Sequence, residues 1–126
     1  PIADDNPHNP NDDPRYADLD EVPRTECLAD VVERLGPWWE ESAAPDLNAR
    51  RTVLVTAHGN SLRALCKLLD DISDDDIADL NLPTGTPIVY ELGDDLRPVE
   101  AKPVLERSLD PETARAAAEA VARQAG

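Results

Sequence analysis

Thr52-Val53-Leu54-Val55-Thr56-Ala57-His58-Gly59-Asn60-Ser61-Leu62-Arg63-Ala64-Leu65 is the stretch on which the reading of the fold turns. Its first six residues form a short apolar run with β-branched members. Three consecutive apolar positions, Val53 to Val55, imply burial on both faces, as in a parallel sheet covered by helices. From Ser61 the period changes. Leu62, Leu65, Cys66 and Leu69 fall at helical spacing, with Arg63 and Lys67 opposite. A strand therefore ends at His58, turns at Gly59 and enters a helix.

Upstream, residues 1–23 carry Pro1, Pro7, Pro10, Pro14 and Pro23 among Asp and Asn. Such a stretch cannot run as a helix and has little apolar to pair as a sheet, so it reads as an extended loop. A helix is predicted from about Thr25, with Thr25 as N-cap and Glu26 in its first turn. Leu28, Val31, Val32 and Leu35 make its apolar face, with Cys27 at the edge. Gly36-Pro37 should kink it, Trp38-Trp39-Glu40-Glu41 carries it to about Ala43, and Pro45 stops it.

Downstream, Ser73 opens a short acidic helix over Asp74 to Leu80. Pro83-Thr84-Gly85-Thr86-Pro87 is a turn cluster, Ile88 to Leu92 a strand, and Gly93-Asp94-Asp95 a hairpin turn. Leu96 to Val104 is a weaker strand that Pro98 and Pro103 confine to an edge. Pro111 fits the first position of a helix running to Gln124. The alternation of strand and helix gives an α/β class, and there are no internal repeats.

The chain has 126 residues, which fits one domain, and 40% of them are apolar. Phe and Met are absent, so the core must be built from Val, Leu, Ile and Ala. A formal net charge of −15, from 27 acidic and 12 basic residues, opposes binding to nucleic acid or to an anionic membrane. Cys27 and Cys66 read as reduced, buried core thiols, with no C-x-x-C or metal spacing. No signal peptide or membrane-length apolar run is present, and the chain is expected to be cytoplasmic. It opens on Pro1, which suggests the tail of something longer.

Three physical features converge at His58. Functional groups of open parallel sheets sit at the carboxyl ends of strands. The start of the following helix offers unpartnered N–H groups and a positive partial charge. Gly59, with no Cβ, lets a ligand approach the backbone. The result is an anion site beside an imidazole that can donate a proton, stabilise charge or act as a nucleophile. Asn60 and Ser61 compete for the N-cap and could equally contact a ligand. Arg63 reads as a solvated face residue within reach of an anion. His8 reads as surface, and the Asp70–Asp76 run as a solvated helix start, since it lacks the Gly and terminal Glu of a calcium loop.

A-H-G-N-S-L-R-A-L at 57–65 and N-L-P-T-G-T-P-I-V-Y at 81–90 resemble the 2,3-bisphosphoglycerate-dependent phosphoglycerate mutases of the histidine phosphatase superfamily. D-D-P-R-Y-A-D-L at 12–19, V-P-R-T-E-C-L at 22–28 and the tail from Leu109 to Gln124 are similar too. The resemblance implies a three-layer α/β sandwich with a mostly parallel sheet. It implies interconversion of 3- and 2-phosphoglycerate in glycolysis through a phosphohistidine, primed by 2,3-bisphosphoglycerate and without metal. His58 would then stabilise the transferring phosphoryl group, and Gly59 and Asn60 would contact it.

The sequence departs from that family in one respect: it holds no Arg-His-Gly and no nucleophile setting around His8. Residues 1–126 are accordingly expected to be a single partial domain. It would be the C-terminal half of the fold without its N-terminal strands, with 1–23 as loop and 109–126 as helical tail, and inactive alone. The resemblance further implies a small-molecule phosphoglycerate substrate and a homo-oligomer for the complete protein. Two alternatives stand beside it: a non-catalytic truncated module binding a phosphate or a partner chain, and a histidine-type phosphatase of the same superfamily.

Overall fold

The computed structural model describes residues 3, 6–7, 9–10, 13–19, 22 and 25–125. His8 lies outside them. In the opening segment Asp13 caps a single 3-10 turn, Pro14–Tyr16, by accepting from the Arg15 N–H at 2.9 Å. Helix α1 spans Leu28–Trp38, a π-helical turn follows over Trp39–Ala43, and α2 covers Ala44–Asn48. Helix α3 is Gly59–Asp70, α4 is Asp74–Asp79, and α5 is Pro111–Ala125.

The first helix begins three residues later than the sequence predicts. Its N-cap is Cys27, whose backbone N–H donates to the Asp30 carboxylate at 2.8 Å. Cys27 is therefore exposed, not in the core, whereas Cys66 is buried as expected. Pro37 lies inside α1 without ending it. Neither does Pro45 stop the helix: the π-helical turn before it places it in the first turn of α2, where proline is tolerated. The Ala44 N–H reaches back to the Trp39 carbonyl, five residues away.

The core sits where α1 crosses α3. Val31 from α1 and Ala64, Leu65, Cys66 and Leu69 from α3 are buried, joined by Ala43 and Ala44. This is the helical stripe expected of 62–69. Ile77 anchors α4, and Val104 with Ala114 and Ala118 seats α5 on a 3-10 turn at Val104–Arg107.

The sandwich is not present in the described residues. They contain no strand ladder, only isolated antiparallel bridges between Ile88 and Ser108 and between Leu92 and Pro98. Thr52–Ala57 runs without regular structure into α3, and Leu54 is 88% exposed. Burial on both faces is thus corrected: Val53 and Val55 are half-buried, whereas Leu54 between them is exposed. A parallel strand is stabilised only by hydrogen-bonded flanking strands, and among the described residues none bridges to this segment. The hairpin of 88–104 is reduced likewise. Gly93 donates to the Arg97 carbonyl at 2.9 Å and Val99 to the Glu91 carbonyl at 2.9 Å. Pro98, bridged to Leu92, has no N–H to add a further bond, and these contacts do not grow into a ladder among the described residues.

Candidate functional site

His58 is the N-cap of α3, with φ −62° and ψ 148°. Its Nδ1 accepts from the Asn60 N–H at 3.3 Å, and its carbonyl accepts from the Leu62 N–H at 3.1 Å. Asn60 and Ser61, the two candidates for the cap, lie within the first turn instead. The reason is local. An extended residue that carries an acceptor two positions before a free N–H can cap a helix, and the imidazole ring does so here in place of a carboxylate or hydroxyl.

This cap fixes the chemistry of the ring. An accepting Nδ1 places the hydrogen of the neutral imidazole on Nε2. The His58 side chain is exposed, so Nε2–H is a donor available to a ligand. Gly59 is exposed beside it, and a Cβ built there would meet nothing within 4 Å. The space, rather than backbone strain, is what this glycine supplies. The first turn of a twelve-residue helix adds its positive partial charge at the same point. The structure thus gathers His58, Gly59 and Asn60 at one exposed helix start.

Arg63 is not a solvated face residue. It is half-buried, donating from one guanidinium nitrogen to the Asn60 side-chain oxygen at 3.3 Å and from another to the Ile77 carbonyl at 2.6 Å. Its Nε is buried without a partner among the described residues. Arg63 therefore orients Asn60 and ties α3 to α4. Lys67, the other residue placed on the polar face, is likewise tied down, donating to the Ile72 carbonyl at 2.5 Å and pairing with Asp74 at 2.8 Å.

An apolar cavity of about 240 Å³ lies under the 53–55 segment, lined in part by Trp39, Val55, Leu62, Leu65 and Ile88. His58 does not line it, so the cavity and the helix start are separate features. Among the described residues no group of three or more His, Cys, Asp or Glu could hold a metal ion, and no helix is long and apolar enough to cross a membrane.

One cluster was not legible in the sequence. Tyr90 donates to one Asp70 oxygen at 2.6 Å, and Arg107 pairs with the other at 2.6 Å. These residues stand 20 and 37 positions from Asp70, and no local spacing links them. The sequence places Asp70 in a solvated acidic run, yet its side chain is only 14% exposed.

The family model of the histidine phosphatase superfamily (branch 1) matches residues 1–101. A relative from Clavibacter sepedonicus named 2,3-bisphosphoglycerate-dependent phosphoglycerate mutase is 61% identical over 125 residues, covering 98% of this chain and 49% of that protein. Proteins of the same name from Rhodococcus jostii (strain RHA1) and Thermobifida fusca (strain YX) are each 56% identical over 126 residues, with 49% and 50% of their lengths covered. The chain spans about half the length of the curated relatives it matches. Matched over most of its length, it belongs to the histidine phosphatase superfamily, branch 1.

Proposed function

We propose that this chain is part of a phosphoglycerate mutase and supplies the second histidine of its phosphoryl-transfer site. The observation that carries the reading is the cap at α3: His58 accepts at Nδ1 and turns Nε2–H toward solvent at a helix N-terminus. A donor of that kind, next to first-turn amides, stabilises the negative charge that a transferring phosphoryl group carries. Gly59 gives access, and Asn60, held by Arg63, contacts a phosphoryl oxygen. The relatives' shared name favours a mutase over a phosphatase of the same superfamily.

The residues at the helix start fit one phosphoryl group of 2,3-bisphosphoglycerate. When bound, that compound supplies the phosphoryl group that primes the reaction. Holding both of its phosphates needs more cationic groups than the described residues place there, since the one arginine nearby, Arg63, is committed to Asn60 and the Ile77 carbonyl. On this reading residues 1–126 are a single partial domain of a cytoplasmic glycolytic enzyme, with no nucleic-acid or membrane partner. The remaining donors and the nucleophile come from polypeptide corresponding to the other half of the relatives' length.

The Thr52–Ala57 segment supports the need for such a partner, because backbone unpaired among the described residues beside an exposed Leu54 is a site for strand pairing.

Titration of the chain with inorganic phosphate, followed by amide NMR, tests the site. The Gly59 and Asn60 resonances should move, and His58→Ala should weaken that response. Phosphate that shifts other amides and leaves these two unmoved would overturn the assignment. A coupled enolase assay tests the remainder: the isolated chain should show no mutase turnover, and turnover above background would contradict the missing nucleophile.

A further inference from the structure

Asp70 is the last residue of α3, where the helix dipole presents its negative end and a carboxylate is disfavoured. It is also mostly buried, which raises the cost of its charge. Both of its oxygens are nevertheless engaged. Tyr90 donates to Oδ2, and Arg107 pairs with Oδ1, each at 2.6 Å. The Arg107 side chain is 2% exposed, stacks over the Tyr90 ring at 4.5 Å and donates to the Glu100 carbonyl at 3.0 Å. The Arg107 carbonyl in turn accepts from the Val89 N–H at 3.0 Å.

Three separate stretches of chain, the end of α3, the 88–92 segment and the 100–107 segment, therefore meet on one buried carboxylate. Replacing a buried ion pair with packed apolar groups is often neutral or better for stability, so stability alone does not explain it. What such a pair provides, and apolar packing does not, is direction: bonds of fixed length between named atoms.

We propose that Asp70, Tyr90 and Arg107 are positioning residues that set the roll and axial position of α3 against the 88–108 segment, and through that rigid helix the placement of His58. The helix spans about 18 Å from Gly59 to Asp70, so a rotation at one end is carried to the other. The part of this inference that concerns His58 rests on the phosphoryl-site reading given above; the orientation of α3 does not.

The test uses the 126-residue chain with all three groups made apolar together: Asp70→Leu, Tyr90→Phe and Arg107→Met. Residual dipolar couplings report the orientation of α3 relative to 88–108, and thermal unfolding is measured in parallel. The expected result is a cooperative melt like that of the unaltered chain, with loss of the single α3 orientation and a weaker Gly59 and Asn60 response to inorganic phosphate. A merely structural cluster would leave couplings and phosphate response unchanged in a variant of equal stability, and that result overturns the proposal. Should the triple variant fail to fold, Tyr90→Phe alone removes one of the two bonds to Asp70 and keeps the ring under Arg107. It should shift the α3 couplings in part, and unchanged couplings overturn the proposal equally. Failure of the phosphate-site reading appears separately, as an unaltered chain whose Gly59 and Asn60 amides ignore phosphate while its couplings still respond to the substitutions.

Discussion

Two cysteines of similar sequence context end in opposite settings. Cys66 is buried on α3 near Tyr90, and burial pushes its thiol up from the ordinary value. Cys27 stands exposed at the start of α1. Since the thiolate is the reacting form, native alkylation should label Cys27 and spare Cys66. Mass spectrometry should count one modified thiol per folded chain and two after denaturation. Equal labelling under native conditions would contradict the placement of Cys66. The stripe of 62–69 made Cys66 legible from its spacing, whereas Cys27 was not, because a residue just ahead of a helix shares the apolar period without sharing the packed face.

At the scale of elements, the caps decide where helices begin. The Ser73 hydroxyl oxygen accepts from the Asp76 N–H at 3.0 Å and holds α4 at the position that its sequence predicts. Ser73→Ala should destabilise this start by about 1 kcal/mol, read by denaturant unfolding of the chain. Asp110 plays the same part for α5: its carboxylate accepts from the Thr113 hydroxyl at 2.7 Å and from the Thr113 N–H at 3.1 Å. Those bonds, the hydroxyl's first, lower its pKa below the ordinary 3.8. A depressed carboxyl pKa stabilises the helix at pH above the unfolded value, and the contribution fades as pH falls through the lower, folded value. The α5 amides should therefore lose protection in acid below about pH 4, and Asp110→Asn should remove most of that dependence. An α5 whose acid response is the same with Asn at 110 would show that other carboxylates govern it.

At the scale of the whole molecule, the packed half and the open half should respond differently to truncation. Leu69, 6% exposed on α3, should cost about 2–5 kcal/mol when changed to Ala. Leu54, 88% exposed, should change the stability of this chain by no more than about 0.5 kcal/mol when changed to Ser. Urea unfolding of both variants checks the contrast. A large loss at Leu54 would mean that the 52–57 segment is packed in solution. Strand pairing with polypeptide corresponding to the other half of the relatives' length should reverse the insensitivity of Leu54.

What the sequence determined by itself was local. The helical stripes at Val31 and at Leu65, Cys66 and Leu69, the Ser73 cap, Pro111 at the head of α5 and the histidine at a helix start were all readable, because each rests on neighbours within a few residues. The tertiary structure decided what depends on distant partners. It placed Arg63 on Asn60 and the Ile77 carbonyl, brought Asp70, Tyr90 and Arg107 together, and left Thr52–Ala57 without regular structure and Leu54 exposed. The physical reason is the same in each case: a cap or a helical stripe is satisfied by atoms nearby in the chain, whereas a strand and a buried charge take their form from whatever the rest of the molecule sets beside them.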